Sequence, residues 1–140
     1  MIKRFLLLGL IISFIVLVIG CTPTPKAELT VLNLDPPVMN CDVAAAGLCT
    51  TTVTFTIANT GTVDAGPFKV LVQADPGLAQ QGTVSVVSLA AGATTTLTIT
   101  LPAGGNCFDS DCTICITVDS DNEVIESNEG NNDYCELTIG

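Results

Sequence analysis

Residues 118–133 read VDSDNEVIESNEGNND, in which six carboxylates and a run of carboxamide and hydroxyl side chains surround one apolar pair, Val124 and Ile125. The stretch is too polar to be core, and it lacks the mixed positive charge of an ordinary solvated surface. It lies between two strand-like runs, CTICITV at 112–118 and YCELTI at 134–139. It is therefore expected to form the long loop of a terminal hairpin, with the chain upstream acting as the scaffold that braces it.

Working back from this loop, residues 50–58 alternate cleanly. Val53, Phe55 and Ile57 fall on one face and Thr50, Thr52, Thr54 and Thr56 on the other, the period-2 signature of a half-buried strand. Residues 67–74 repeat the pattern with Phe68, Val70 and Val72 inward. Residues 93–101 do so with Leu97, Ile99 and Leu101 inward and threonines outward. Residues 28–34 and 83–89 supply two further runs. The separators are turn-formers: Asp35-Pro36-Pro37, Asn59-Thr60-Gly61, and Asp75-Pro76-Gly77, where proline fixes φ and glycine supplies the positive φ that follows. Residues 38–49 read as a short excursion bounded by Cys41 and Cys49, which a Cys41–Cys49 bridge would staple. No helix-period segment follows residue 20. Seven short strands with one apolar face each predict an all-β fold, a seven-stranded immunoglobulin- or fibronectin-III-like β-sandwich after an N-terminal hydrophobic segment. With no Trp and one Tyr, the antibody-type core of Trp against an inter-sheet disulfide is excluded.

The N-terminus has the composition of a processing signal. Lys3 and Arg4 precede the apolar run 5–20, slightly short of the roughly 20 residues a spanning helix needs. Val18-Ile19-Gly20-Cys21 resembles the lipobox of bacterial lipoproteins, which implies a signal peptide at 1–20 and lipidation of Cys21. The alternative is an uncleaved signal anchor with Cys21 as an incidental thiol. Under either, residues 22–140 lie outside the cytoplasmic membrane. Residues 21–27 then form the lipidated cysteine and a Pro/Thr tether of at most about 20 Å, and 28–140 form the domain. Beyond residue 20 only Lys26 and Lys69 oppose all 14 acids, so nucleic acid and anionic lipid are poor partners. Setting Cys21 aside leaves Cys41, Cys49, Cys107, Cys112, Cys115 and Cys135, an even set suited to an oxidising exterior, with 15 pairings open. Cys112-Thr113-Ile114-Cys115 is a CxxC, but with no His and no second CxxC a zinc or redox site is the weaker alternative.

Several of these pieces resemble the CARDB domain, the cell-adhesion-related domain found in bacteria, an immunoglobulin-like module of surface proteins. They are residues 53–61 (VTFTIANTG) with Ala65-Gly66-Pro67-Phe68, then Leu89-Ala90-Ala91-Gly92, then Val118-Asp119 with Asn122, Glu126, Asn128-Glu129 and Asn131-Asn132. The likeness runs from about residue 28 to the end. It implies a Cys115–Cys135 bridge across the closing loop, leaving Cys107–Cys112 and Cys41–Cys49 as local staples. Parity counts against that bridge. Cys115 travels with Thr113 and Thr117, and Cys135 with Leu137 and Ile139, so a β-bulge would be required to bring the two together.

For the loop itself two roles are expected. In the structural one, Glu126, Asn131 and Asn132 lock the loop while Val124 and Ile125 tuck onto the sandwich end. In the other, Asp119, Asp121, Glu123, Glu126, Glu129 and Asp133 offer hard oxygens to Ca²⁺, although the spacing is not that of an EF-hand. No cofactor besides that calcium is indicated. Enzymatic work has little support, since there is no His for general-base chemistry and no phosphate-cradling loop. The resulting expectation is a non-enzymatic, membrane-anchored surface module for adhesion to protein or carbohydrate. Its rivals are an envelope spacer without a ligand and a Ca²⁺-stabilised surface domain.

Overall fold

A computed structural model describes residues 24–41, 49–77, 80–103 and 111–139. Eight strands are described: β1 (Leu29–Leu34), β2 (Val38–Cys41), β3 (Cys49–Asn59), β4 (Phe68–Ala74), β5 (Gln81–Val86), β6 (Thr94–Leu101), β7 (Asp111–Val118) and β8 (Asp133–Ile139). They form two four-stranded antiparallel sheets. In the first, β3 is central, with β6 along one side and β1 and β2 sharing the other; the second runs β5-β4-β7-β8. No helix occurs among the described residues.

The inner faces are the predicted apolar ones. Val53, Phe55, Ile57 and Leu101 from the first sheet meet Phe68, Val70, Val72, Ile114, Ile116 and Val118 from the second, all fully buried. Alternation produces this directly, because successive side chains of a strand point to opposite faces. Each such side chain contributes about 1.5–3 kcal/mol on removal from water. On the outer face of the first sheet the threonines pair hydroxyl to hydroxyl across β3 and β6: Thr52 with Thr100 at 3.0 Å, Thr54 with Thr98 at 3.0 Å and Thr56 with Thr96 at 2.9 Å.

Three expectations change. The excursion after Pro37 is not wholly irregular: Val38–Cys41 forms an additional strand pairing with the start of β3, and Cys41 lies directly opposite Cys49, to which it is disulfide-bonded. Val38, Asn40 and Met39 lack the apolar alternation that marks the other strands, so pairing here follows from the neighbouring β3 edge rather than from burial. The run 83–89 is also displaced, with β5 beginning at Gln81 and ending at Val86.

The parity objection to a Cys115–Cys135 bridge fails as well. The two cysteines are directly opposite in the β7–β8 register, with no bulge between them, and are bonded with a Cα–Cα separation of 4.1 Å. What was mistaken is the face assigned to β8. Leu137 and Ile139 point outward, 56% and 80% exposed. β8 is an edge strand, and β7 already fills the interior with Cys112, Ile114, Ile116 and Val118. Cys112 is also disulfide-bonded. Cys21, Cys107 and the expected Cys107–Cys112 pairing lie outside the described residues.

Candidate functional site

The closing loop begins where β7 ends, at Asp119, whose backbone takes a φ of 50° that residues other than glycine adopt rarely. Its buried carboxylate accepts from the backbone N–H groups of Glu123 and Val124, both at 2.8 Å, while its carbonyl accepts from Asn122 N at 2.9 Å. A short Asp suits this place because it tolerates the left-handed region and satisfies nearby donors in one step. Lys69 reaches over from β4 to pair with Asp121, which together with Glu123 raises the lysine above its ordinary pKa. Further along, Glu129 accepts from Glu126 N at 2.8 Å and Asn128 Oδ1 accepts from Gly130 N at 3.1 Å.

The loop does not close only on itself. Glu126, buried to 1% exposure, accepts from Leu29 N at 2.5 Å with one oxygen and from Asn132 Nδ2 at 3.1 Å with the other. Its carbonyl accepts from Lys26 Nζ at 2.9 Å, and its backbone forms a parallel bridge with Ala27. Burial pushes the Glu126 carboxyl above its usual range; the Leu29 and Asn132 bonds pull it back in part, and the nearby Glu129 and Asp119 charges push it further up. Glu28 completes the contact, accepting from Asn128 N at 3.0 Å and from Asn131 Nδ2 at 2.7 Å. Glu126, Asn131 and Asn132 thus come together, but on the first strand as much as on the loop.

Two participants escaped the sequence reading. Glu28 looked like an ordinary polar residue at the start of a strand. Asn59, fully buried, holds the other side of the same segment: its oxygen accepts from Glu28 N and Gly61 N, both at 3.1 Å, and its amide donates to the carbonyls of Val63 and Leu89 at 2.8 and 2.9 Å. The Asn59-Thr60-Gly61 string signalled a turn and nothing more. A Cβ at Gly61 would lie 2.4 Å from the Lys26 carbonyl oxygen, so only glycine lets the turn approach the incoming chain. Residues 26–29 are therefore gripped from both sides, by this turn and by the closing loop.

Val124 tucks in as expected, but Ile125 does not: it is 76% exposed. It borders an open groove of about 590 Å³ that Thr24, Pro25, Val63, Asp64 and Glu123 also line. Among the described residues no group of three or more His, Cys, Asp or Glu side chains is placed to hold a metal ion. The chemistry of the loop explains why. Asp119, Glu126 and Glu129 are turned onto main-chain donors, Asp121 onto Lys69, and Asp133 onto the Thr117 hydroxyl at 2.6 Å. The arrangement does not gather the six carboxylates for Ca²⁺, and it fits a clasp.

Comparison with known proteins bears on the fold and the family. The chain is similar to the CARDB domain of a Pyrococcus furiosus protein crystallised in complex with di-metal ions, at 24% identity and a TM-score of 0.59 over 84% of this chain and 96% of that one. It is equally similar to a domain of a proposed cell surface protein from Methanosarcina acetivorans, whose solution structure has 25% identity and a TM-score of 0.59 over 81% and 91% of the two chains. No curated protein matches it. The CARDB family model matches residues 27–136, a span that starts at the clasped segment and ends within the last strand, and the chain belongs to the CARDB family.

Proposed function

We propose that this protein is a lipid-anchored, non-enzymatic module of the cell surface that adheres to protein or carbohydrate through the outer edge of its second sheet. The observation that carries adhesion is the apolar pair Leu137 and Ile139 on edge strand β8, 56% and 80% exposed. An edge strand presents unpaired backbone groups, and natural proteins ordinarily protect such edges with charge or proline. Here the edge carries branched aliphatic side chains, beside Leu34, Pro36 and Pro37, around a second open groove of about 330 Å³. Exposed apolar surface of this kind marks interaction sites more often than it marks inert surface. Anchorage is supported by the lipobox-like residues 18–21. An oxidising exterior is supported by the Cys41–Cys49 and Cys115–Cys135 disulfides.

One observation favours the spacer reading: the Thr–Thr pairs on the outer face of the first sheet satisfy one another and leave that face without charge. Calcium has less support, since five of the six loop carboxylates, Asp119, Asp121, Glu126, Glu129 and Asp133, are already engaged. The test of the leading reading is adhesion by cells displaying the full chain. Adhesion that is abolished when Leu137 and Ile139 are together replaced by Lys supports β8 as the contact; adhesion that survives the replacement overturns β8, and no adhesion by the unaltered chain is the result a spacer gives. Intact-mass measurement of the membrane-extracted protein reports acylation at Cys21 and the number of disulfides together.

A further inference from the structure

We infer that the end of the sandwich carrying the closing loop rests directly on the lipid bilayer, with Ile125 and Val63 as its apolar foot. This rests on the lipid-anchored reading above and adds an orientation to it. Lys26 is the first of the described residues held by hydrogen bonds, by its Nζ bond to the Glu126 carbonyl and by its own carbonyl, which accepts from Thr62 N at 2.9 Å. Only residues 22–25 therefore separate Cys21 from the gripped chain, about 14 Å at full extension. Two of those residues, Thr24 and Pro25, already line the groove that Ile125 and Val63 border. An acyl chain on Cys21 thus keeps this end within about 14 Å of the membrane surface.

The side chains found there suit that position. Ile125 is 76% exposed and Val63 41%, both placed at loop positions where they could turn inward only by breaking the Asp119 turn or the Asn59 bonds. Aliphatic side chains at a membrane–water boundary gain the burial that water denies them. Charge selects the lipid. Asp64 and Glu123 border the same groove, and its one cation, Lys26, is bonded to the Glu126 carbonyl. The foot therefore fits a zwitterionic surface and is repelled by an anionic one. The adhesive edge of β8 then runs away from the membrane, its Ile139 end beyond the reach of the headgroups.

The chain has no Trp, so a single introduced indole reports its own surroundings. The full-length protein, purified from membranes and reconstituted in phosphatidylcholine vesicles, is compared as Ile125→Trp and Leu137→Trp. The indole at 125 is expected to emit at shorter wavelength and to be quenched severalfold more strongly by bromine-labelled acyl chains than the indole at 137. Adding phosphatidylglycerol is expected to reduce that quenching. Val63→Trp provides the same reading from the other side of the groove should Ile125→Trp fail to fold. Solvent-like emission at 125 and 63 in a preparation whose intact mass shows an acylated Cys21 overturns the foot while leaving the anchor standing. An unacylated, soluble chain overturns both.

Discussion

Glu126 is a charged side chain that the fold buries in order to join two segments about a hundred positions apart, and its removal is expected to be felt accordingly. Glu126→Ala leaves the buried Leu29 N–H and the Asn132 amide without an acceptor, at an expected loss of about 3 kcal/mol in urea unfolding. Glu126→Gln is milder, because the Asn132 oxygen has no partner among the described residues and can receive the new N–H₂ after rotation of the amide. The two carboxyl forms also differ in pH response. The folded chain holds the Glu126 proton to higher pH than the unfolded chain does, so this group's contribution to stability is greatest on the acid side and falls as pH rises through the window between the two. The difference in unfolding free energy, wild type minus Glu126→Gln, measured from about pH 4 to 7, should therefore rise on acidification and fall as pH climbs toward neutrality. At the opposite pole, Thr51 is fully buried and its hydroxyl has no partner among the described residues. Thr51→Val is expected to stabilise the protein by about 1 kcal/mol, read as a raised urea midpoint at unchanged slope.

At the scale of elements, the strands that carry the core were legible, and two edge strands, β2 and β8, were not. β3 and β4 bury one face and expose the other, so period 2 in the sequence maps straight onto the structure, and Phe55, Ile57, Phe68 and Val70 could be assigned inward from spacing alone. β8 breaks that mapping. Its apolar residues Leu137 and Ile139 share a face with Cys135, and since Cys115 directly opposite points outward, all three do. Hydrophobicity predicts burial only where a second layer exists to cover the strand, and an edge lacks one. The difference is measurable: Leu137→Ala should change stability by less than about 0.5 kcal/mol, whereas Ile114→Ala, one strand inward, should cost about 2–5 kcal/mol in the same assay. Equal losses at the two positions would mean that β8 faces the core after all. β2 was missed for a related reason, since a strand recruited by its neighbour need carry no pattern of its own.

For the whole molecule, the period-2 spacing sufficed for a two-sheet sandwich, and the motif resemblance for the family. They did not disclose that the polar closing loop spends the Glu126 carboxylate and the Asn131 amide on the distant 28–29 segment, because hydrogen-bond partners such as Glu28 and Asn59 leave no periodic trace. That expenditure leads to a further expectation. Millimolar Ca²⁺ should leave the thermal midpoint unchanged, since binding would first have to strip Asp119 and Glu126 from the backbone groups they satisfy; a rise in midpoint would show that the loop reorganises around the ion.

Synthesis runs from the N-terminus, and the grip on residues 26–29 imposes a timetable on it. The partners of Lys26, Glu28 and Leu29 in the closing loop are 97 to 103 residues downstream, so β1 waits, half fastened, until residues 126–131 have followed it. Contacts of such long sequence separation slow folding. A chain interrupted before residue 126 would thus hold β1 loosely, exposed to proteases, and the fastening of β1 would report that the closing loop had been made.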